Sequence, residues 1–416
     1  MSLKTLLQNK LLQNIFSQGF VQLANYAVPL LVIPYVTRVL GPELFGSASF
    51  AQNMAGYATL LVHFGFDFSA TQEISIHRDD RERLRQIFWN VVTFKFLLLI
   101  VSFAFLFAFS DNQHNVTLLF AAALLNVGCV FFPSWFLQGV EQIAKMSMFT
   151  LFVRVLGAVF VFLFVKTPSH VLLYLLILSL SNVIVGFVAF LYVIRKYRLT
   201  YCCPRNLFTC QSVKKGLPIF FNTFLVNCNV FVGVTFVGRL MTDYDVGIFS
   251  GAQKIMTAIL MVISQPFLVA LFPRMSRKFS ENKQEGLSFM LKCLLLIALI
   301  SGLASVAVYF LSPWAVNLML GEKFVPSVSL LCLMAPLPLL YTIASTLTVQ
   351  GLFGMQLQRY APIVGLLVLF SNIFFCWLLI PFCGLKGAAF SWMLCQVVEI
   401  LATTLFIVLN KKSVYL

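Results

Sequence analysis

Charge is scarce in this chain. Only 10% of its 416 residues are charged, with 14 acidic side chains and 4 histidines. Soluble domains carry about a quarter charged residues, so a soluble globular enzyme is excluded. A disordered chain, which needs high charge and few apolar groups, is excluded too. The histidines, His63, His77, His114 and His170, are scattered, and no P-loop, H-E-x-x-H or G-x-S-x-G pattern occurs. The chain thus carries no nucleotide-binding loop through which ATP hydrolysis could act. The stretch His77–Arg85 contains H-R-D but lacks the later Asn of a kinase catalytic loop, and is expected to be a solvated helix.

Cysteine is present but unorganised. Cys129, Cys228, Cys293, Cys332, Cys376 and Cys395 fall in apolar runs, where the thiol behaves as a small hydrophobe. Cys202, Cys203 and Cys210 have no histidine nearby, so a zinc site is not expected. Cys383 stands alone at a run's end, and disulfides are not expected. No cofactor is expected either.

What the chain does have is apolar length. Sixty per cent of its residues are hydrophobic, 45 of them phenylalanine. A helix needs about 20 mostly apolar residues to cross a bilayer. Twelve such runs lie at roughly 15–36, 44–66, 87–109, 116–137, 148–165, 171–194, 216–238, 246–272, 289–311, 325–349, 361–380 and 387–409. The second and eighth are interrupted by Gln, Asn, Ser and Gly. The expected fold is an all-α polytopic membrane protein with 12 transmembrane helices. The first run lacks a small-residue cleavage site and is expected to be retained as a helix.

The formal charge of +15 would suggest nucleic acid in a soluble protein, but here it follows the spans. With the N-terminus placed inside, twenty Lys and Arg fall in inside segments and five outside: Arg38, Lys166, Arg239, Lys323 and Lys386. By the positive-inside rule both termini are expected to be cytoplasmic. The outside loops are short, which leaves no room there for a folded catalytic domain, and no nucleic-acid partner is expected.

The chain also repeats itself. Residues 36–53 align without gaps to 237–254, with identities at Val36/Val237, Arg38/Arg239, Gly46/Gly247, Ser49/Ser250, Ala51/Ala252 and Gln52/Gln253. Gln138-Gly139 and Gln350-Gly351 form a second echo. Six helices per copy make the repeats parallel, with the substrate site expected between them. The expected organisation is a six-helix lobe over 1–200, a cytoplasmic linker over 201–215 and a second lobe over 216–416.

Intramembrane polar residues mark candidate binding positions. The eighth run presents Gly247, Ser250, Lys254, Thr257 and Ser264 at helical spacing; the second presents Gly46, Ser49, Asn53, Gly56 and His63. Gln22 and Asn25 in the first run, with Asn222, Asn227 and Asn229 in the seventh, extend the polar surface. Amide hydrogen bonds that glue helices together would account for any single one of these. A charge in mid-bilayer costs about 2.5–3.5 kcal/mol on insertion scales. Lys254 is therefore the leading candidate, followed by Arg154 and Lys95, which could instead snorkel toward the surface. Lys292, near an interface, is expected to snorkel. Repeat-related Arg38 and Arg239 suit an anion gate at the outer mouth or headgroup anchoring. Against these cations stand Glu399 and, at a helix end, Asp67. A cavity lined by cations and amides fits a polyanionic or sugar-bearing ligand.

These residues also carry a resemblance. Pro34-Tyr35-Val36-Thr37-Arg38-Val39-Leu40-Gly41-Pro42-Glu43-Leu44-Phe45-Gly46 closely resembles the N-terminal signature of Wzx-type polysaccharide (O-antigen) flippases of the MOP superfamily. Gly65-Phe66 with Ser69-Ala70-Thr71, Trp135 to Gly139, Gly247 to Ile255, Phe272 to Ser276, and Gly321-Glu322-Lys323-Phe324 resemble later parts of that family's pattern. The resemblance implies a MATE-like fold of two parallel six-helix lobes. It also implies an alternating-access flippase, not an enzyme, of the bacterial inner membrane. The implied substrate is an undecaprenyl-diphosphate-linked oligosaccharide such as an O-antigen repeat. Membrane lipids, a polysaccharide polymerase and a chain-length regulator are the implied partners. The family's cationic lumen would be represented by Lys254, Arg154 and Lys95; the last two rest on depth alone. Two other readings stand beside it. A multidrug or cation exporter of the same superfamily would tend to carry an acid in the first span, which has none. A membrane polysaccharide polymerase or ligase would need a larger outside loop and would show no six-helix repeat.

Overall fold

The computed structural model describes residues 10–108, 116–203 and 211–411, with side chains from residue 28 onward apart from a few positions. The helices are α1 Lys10–His63, α2 Phe66–Ile76, α3 Arg81–Ala108, α4 Val116–Phe131, α5 Ser134–Gly139, α6 Ile143–Phe164 and α7 Val171–Tyr197. They continue as α8 Gln211–Leu240, α9 Asp243–Glu281, α10 Lys283–Met319, α11 Pro326–Leu333, α12 Leu337–Thr346, α13 Ala361–Cys383 and α14 Leu385–Lys411. Among the described residues, nine helices are long and apolar enough to cross a membrane, ten when the bent pair α11–α12 counts as one. Side chains such as Leu295 and Phe310 are about three-quarters exposed (74% and 73%), far more apolar surface than water tolerates. Hydrocarbon is the solvent that suits it. The chain is a multi-pass, all-helical membrane protein.

Breaks in these helices have local causes. The first two apolar runs form α1, which kinks at Gly41, where φ is 72° and ψ 174°, a conformation essentially reserved for glycine. At the repeat-related position the chain turns differently. Thr242 caps α9: its hydroxyl accepts from the Asp245 amide, and the Asp245 carboxylate accepts from the Thr242 amide at 3.2 Å. Thr242→Ala is expected to cost about 1 kcal/mol, read as a lowered Tm of the detergent-purified protein; an unchanged Tm would show that the cap contributes nothing.

Pro133 ends α4, and Pro336 separates α11 from α12 with a 43° bend to the segment through Phe353. The Ser305 hydroxyl accepts from the Leu339 amide at this second break. Residues Leu347–Phe353 then adopt a π-helical turn, which carries the buried Gln350.

The chain divides into two compact units, Met1–Phe224 and Leu225–Leu416, so the boundary falls within α8. Residues 204–210 of the expected linker lie outside the described residues. The core of the first unit gathers Phe64, Phe66, Phe88, Trp135, Phe136 and Val193; that of the second gathers Met275, Phe279, Met290, Leu352 and Cys395. In the first unit α4 and α7 approach through Gly128 and Gly186. A Cβ on either would lie 2.5 or 2.3 Å from the facing backbone. Small residues allow such contact where hydrophobic driving force between helices is absent. The short α2 is held by its buried Glu73, which pairs with Arg83 at 3.5 Å and accepts a hydrogen bond from the Ser212 hydroxyl at the start of α8. At the exposed end of α9 Arg277 donates to Glu281 at 2.7 Å, which holds that carboxyl below its ordinary range.

Candidate functional site

The two copies of the repeat bury the same positions in their own units. Val36 and Val237, Ser49 and Ser250, and Ala51 and Ala252 are each at most 5% exposed. The matched glycines Gly46 and Gly247 are buried too. Valine, glycine and alanine kept inside two separate helical units make a packing surface, consistent with small-residue helix contacts.

The polar residues of the eighth run fall in α9. In α9, Ser250 is 2% exposed and its hydroxyl has no hydrogen-bond partner among the described residues, an uncommon state for a buried polar atom. Lys254 follows one turn later and is half-buried. Ser264, further along, meets the Thr342 hydroxyl of α12 at 2.9 Å and is used for helix contact instead. Gln253 also serves packing, because its amide donates to the Val230 carbonyl of α8. Elsewhere in this unit the Asn372 side chain donates to the Asn229 carbonyl at 3.0 Å, and Glu399 accepts from the Thr348 hydroxyl at 2.9 Å. Glu399 is thus tied to the π-helical turn.

In the first unit, Asn53 in α1 is buried and Arg154 in α6 is half-buried. Gln22 and Asn25 lie outside the residues whose side chains are described. Arg38 is exposed and its guanidinium donates to the Pro34 carbonyl; Arg239 in the second unit is half-buried. Lys95 does not snorkel. It is 1% exposed, and its amine donates to the Cys129 carbonyl at 2.6 Å. The cause is Pro133: in a continuous helix the amide four residues on would satisfy that carbonyl, and proline has none.

In the sequence Asp67 reads as an isolated acid and His63 as part of a polar stripe. The structure brings them together: His63 Nδ1 lies 3.2 Å from Asp67, which also accepts from the Ser134 hydroxyl at 2.6 Å. Their spacing of four residues was the available signal. What hid it was the helix break between them, at Phe64 (φ 43°) and Gly65 (φ 70°).

A family model described as "Polysaccharide biosynthesis protein" matches residues 11–279. Over 344 residues the chain is 28% identical to a protein of Escherichia coli (strain K12) named "Putative O-antigen transporter", covering 81% of this chain and 82% of that one. A Shigella dysenteriae protein of the same name is 24% identical over 399 residues, covering 94% and 98%. Among solved structures, a lipid II flippase MurJ superposes with a TM-score of 0.72 at 14% identity, covering 95% of this chain and 87% of that one. An inward-facing multidrug resistance MATE transporter of the MOP superfamily superposes with a TM-score of 0.69 at 16% identity, covering 94% and 96%. At these identities the structures establish the fold. The match over 11–279, on a multi-pass, all-helical chain, shows that it belongs to the polysaccharide biosynthesis protein family.

Proposed function

We propose that this protein is a flippase that moves an undecaprenyl-diphosphate-linked oligosaccharide, of the O-antigen repeat type, across the bacterial inner membrane. It works by alternating access, with twelve spans in two parallel six-helix lobes and both termini cytoplasmic. The observation that carries the reading is the α9 face on which half-buried Lys254 follows buried, unpartnered Ser250. A cation one helical turn from a free hydroxyl suits a ligand that brings both phosphate and sugar. Lys254 and Arg154 pair with the diphosphate, with Lys95 as a third buried cation. Asn53, Ser250, Gln22 and Asn25 meet sugar hydroxyls, and Arg38 and Arg239 form the outer gate. The lipid tail stays in the bilayer. Polysaccharide polymerase and chain-length regulator act on the product.

Reconstitution provides the test. Vesicles containing the purified protein and a defined polyprenyl-diphosphate oligosaccharide are probed with a membrane-impermeant glycan-modifying enzyme. Protein-dependent exposure of inner-leaflet glycan is expected, and the same polyprenyl carrier bearing no glycan should not compete. Movement of a cationic drug with no movement of the glycolipid would overturn the reading in favour of an exporter.

A further inference from the structure

The second unit carries an apolar groove that the proposed headgroup site does not use. It lies between α10 and the break that separates α11 from α12, and encloses about 380 Å³. Ligand sites span about 300–1,000 Å³, so the space holds a segment of a ligand and is more than a packing defect. Local sequence opens it. Gly302 of α10 has no side chain, and a Cβ there would meet nothing within 4 Å among the described residues. On the facing wall stands the small Ala335, and Pro336 bends the chain there by 43°. Ser305 also faces the groove, but its hydroxyl already accepts from the Leu339 amide. The remaining lining is almost wholly carbon. Tyr309 and Phe310 make the rim, their rings edge to face at 5.5 Å.

The groove opens sideways. Leu303, Val306 and Phe310 beside it are each more than half exposed, on a helix long and apolar enough to cross a membrane. Water does not reach such a face, so its occupant is a hydrocarbon chain. Depth and shape select which chain. Helices α9 and α10 form a hairpin joined at Asn282; Lys254 stands 27 residues before Glu281, and Tyr309 stands 26 residues after Lys283. At equal rise per residue, the proposed phosphate-binding cation and the aromatic rim share one level. A phospholipid keeps its headgroup at the membrane surface and needs no berth beside a cation at that depth. A lipid whose diphosphate has been drawn in to Lys254 does need one, because its first isoprene units lie at that level. Shape agrees. A linear acyl chain packs along an unbroken helix, whereas a notch widened by a glycine and a helix break admits regularly spaced methyl branches. Helix α12 ties the groove to the headgroup helix: its Leu339 is held by Ser305 of α10, and its Thr342 meets Ser264 of α9.

We propose that the groove between α10 and α12 binds the polyprenyl chain of the transported glycolipid while the diphosphate is held at the level of Lys254. The chain enters from the bilayer, past Phe310, and its first isoprene units lie over Gly302 and Pro336. Occupancy during transport rests on the flippase function proposed above; the groove's preference for a branched chain does not need transport. The chain comes from hydrocarbon, so the gain is packing contact and not escape from water, and a modest factor is expected.

The experiment has two arms, both on the full-length protein in phospholipid vesicles. In the first, a polyprenyl-diphosphate oligosaccharide with a diazirine on its first isoprene units is illuminated, and labelled peptides are mapped. Label is expected to concentrate in segments 302–310 and 335–339, although phospholipid is in large excess. Gly302→Phe fills the groove without meeting a neighbour at Cβ, and is expected to lower this labelling about tenfold. Leu295→Phe adds bulk to the exposed face of α10 outside the groove and should leave it unchanged. A diazirine phospholipid is expected to label α10 without favouring these segments. In the second arm, Gly302→Phe is expected to slow transport of the full-length glycolipid about tenfold. A glycolipid shortened to about two isoprene units should move equally in variant and wild type. If Gly302→Phe fails to fold, Phe310→Ala at the open rim carries both arms, with a smaller loss expected. Even labelling along α10 overturns the site. So does a phospholipid probe that concentrates in the same segments, which would make the groove an acyl-chain site, or full-speed transport of the long glycolipid by folded Gly302→Phe. If the wild type moves no glycolipid at all, the function proposed above has failed, and the labelling arm alone still decides the groove.

Discussion

Gly128→Ala and Gly186→Ala are each expected to lower the folded fraction of the protein sharply. One methyl group at Gly128 would lie 2.5 Å from the carbonyl carbon and oxygen of Asn182, and one at Gly186 2.3 Å from the Gly128 carbonyl oxygen. The obstacles are backbone atoms of a paired helix, which no rotamer change can move. Helices α4 and α7 must separate, and Ser179 would then lose its 2.7 Å hydrogen bond to the Ala121 carbonyl. Overpacking typically costs about 1–3 kcal/mol, and the rigidity here places both variants at or beyond the upper end. The helix propensity gained on replacing glycine, about 1 kcal/mol, does not offset it. Gly302 in α10 is the control, because a Cβ there meets nothing within 4 Å; Gly302→Ala should be neutral or slightly stabilising. Thermal unfolding of purified protein in one detergent compares the three. Equal Tm values for all would mean that α4 and α7 do not approach through these glycines.

Lys254→Ala is expected to eliminate surface polysaccharide while leaving the protein at normal abundance in the membrane. Lys254 is half-buried on a helix whose packing rests on its apolar neighbours, and the protein's abundance in the membrane reads whether truncation spares folding. A hydrogen bond to a charged group contributes about 1.5–3 kcal/mol. Losing one from the transported state slows transport roughly 10–100-fold. Lys254→Arg keeps the charge on a bulkier, planar group and should restore part of the activity. Quantified surface glycan, normalised to protein detected in isolated membranes, is the measurement. Full glycan in Lys254→Ala would remove this residue from the substrate path, and loss of the protein itself would make it structural.

The membrane-spanning helical class is legible in the sequence, because hydropathy is a property of consecutive residues. The polar stripe of α9 is legible for the same reason, since Ser250 and Lys254 are one helical turn apart. Ser264 lies on that stripe as well, yet it serves packing through Thr342. Spacing along one helix says which side chains share a face. It says nothing about what stands opposite. Gln253 matches Gln52 in the repeat, but its bond to Val230 has no counterpart in the pattern, because its acceptor is a backbone carbonyl that any residue would supply.

By itself, then, the sequence determined the membrane environment, the approximate run of the helices and the duplicated pattern at residues 36–53 and 237–254. Each of these depends on local order: apolar length, helical period and residue identity. Tertiary structure alone decided the fate of the charged groups. Lys95 became a donor to Cys129 because a proline on another helix removed an amide. His63 and Asp67 became a pair, with Ser134 as third member, because two helix breaks meet. The same holds for Gly128 and Gly186, whose value lies in a backbone more than fifty residues away. Such partnerships join segments distant in the chain, and a bilayer makes them matter by offering buried polar groups no water in exchange.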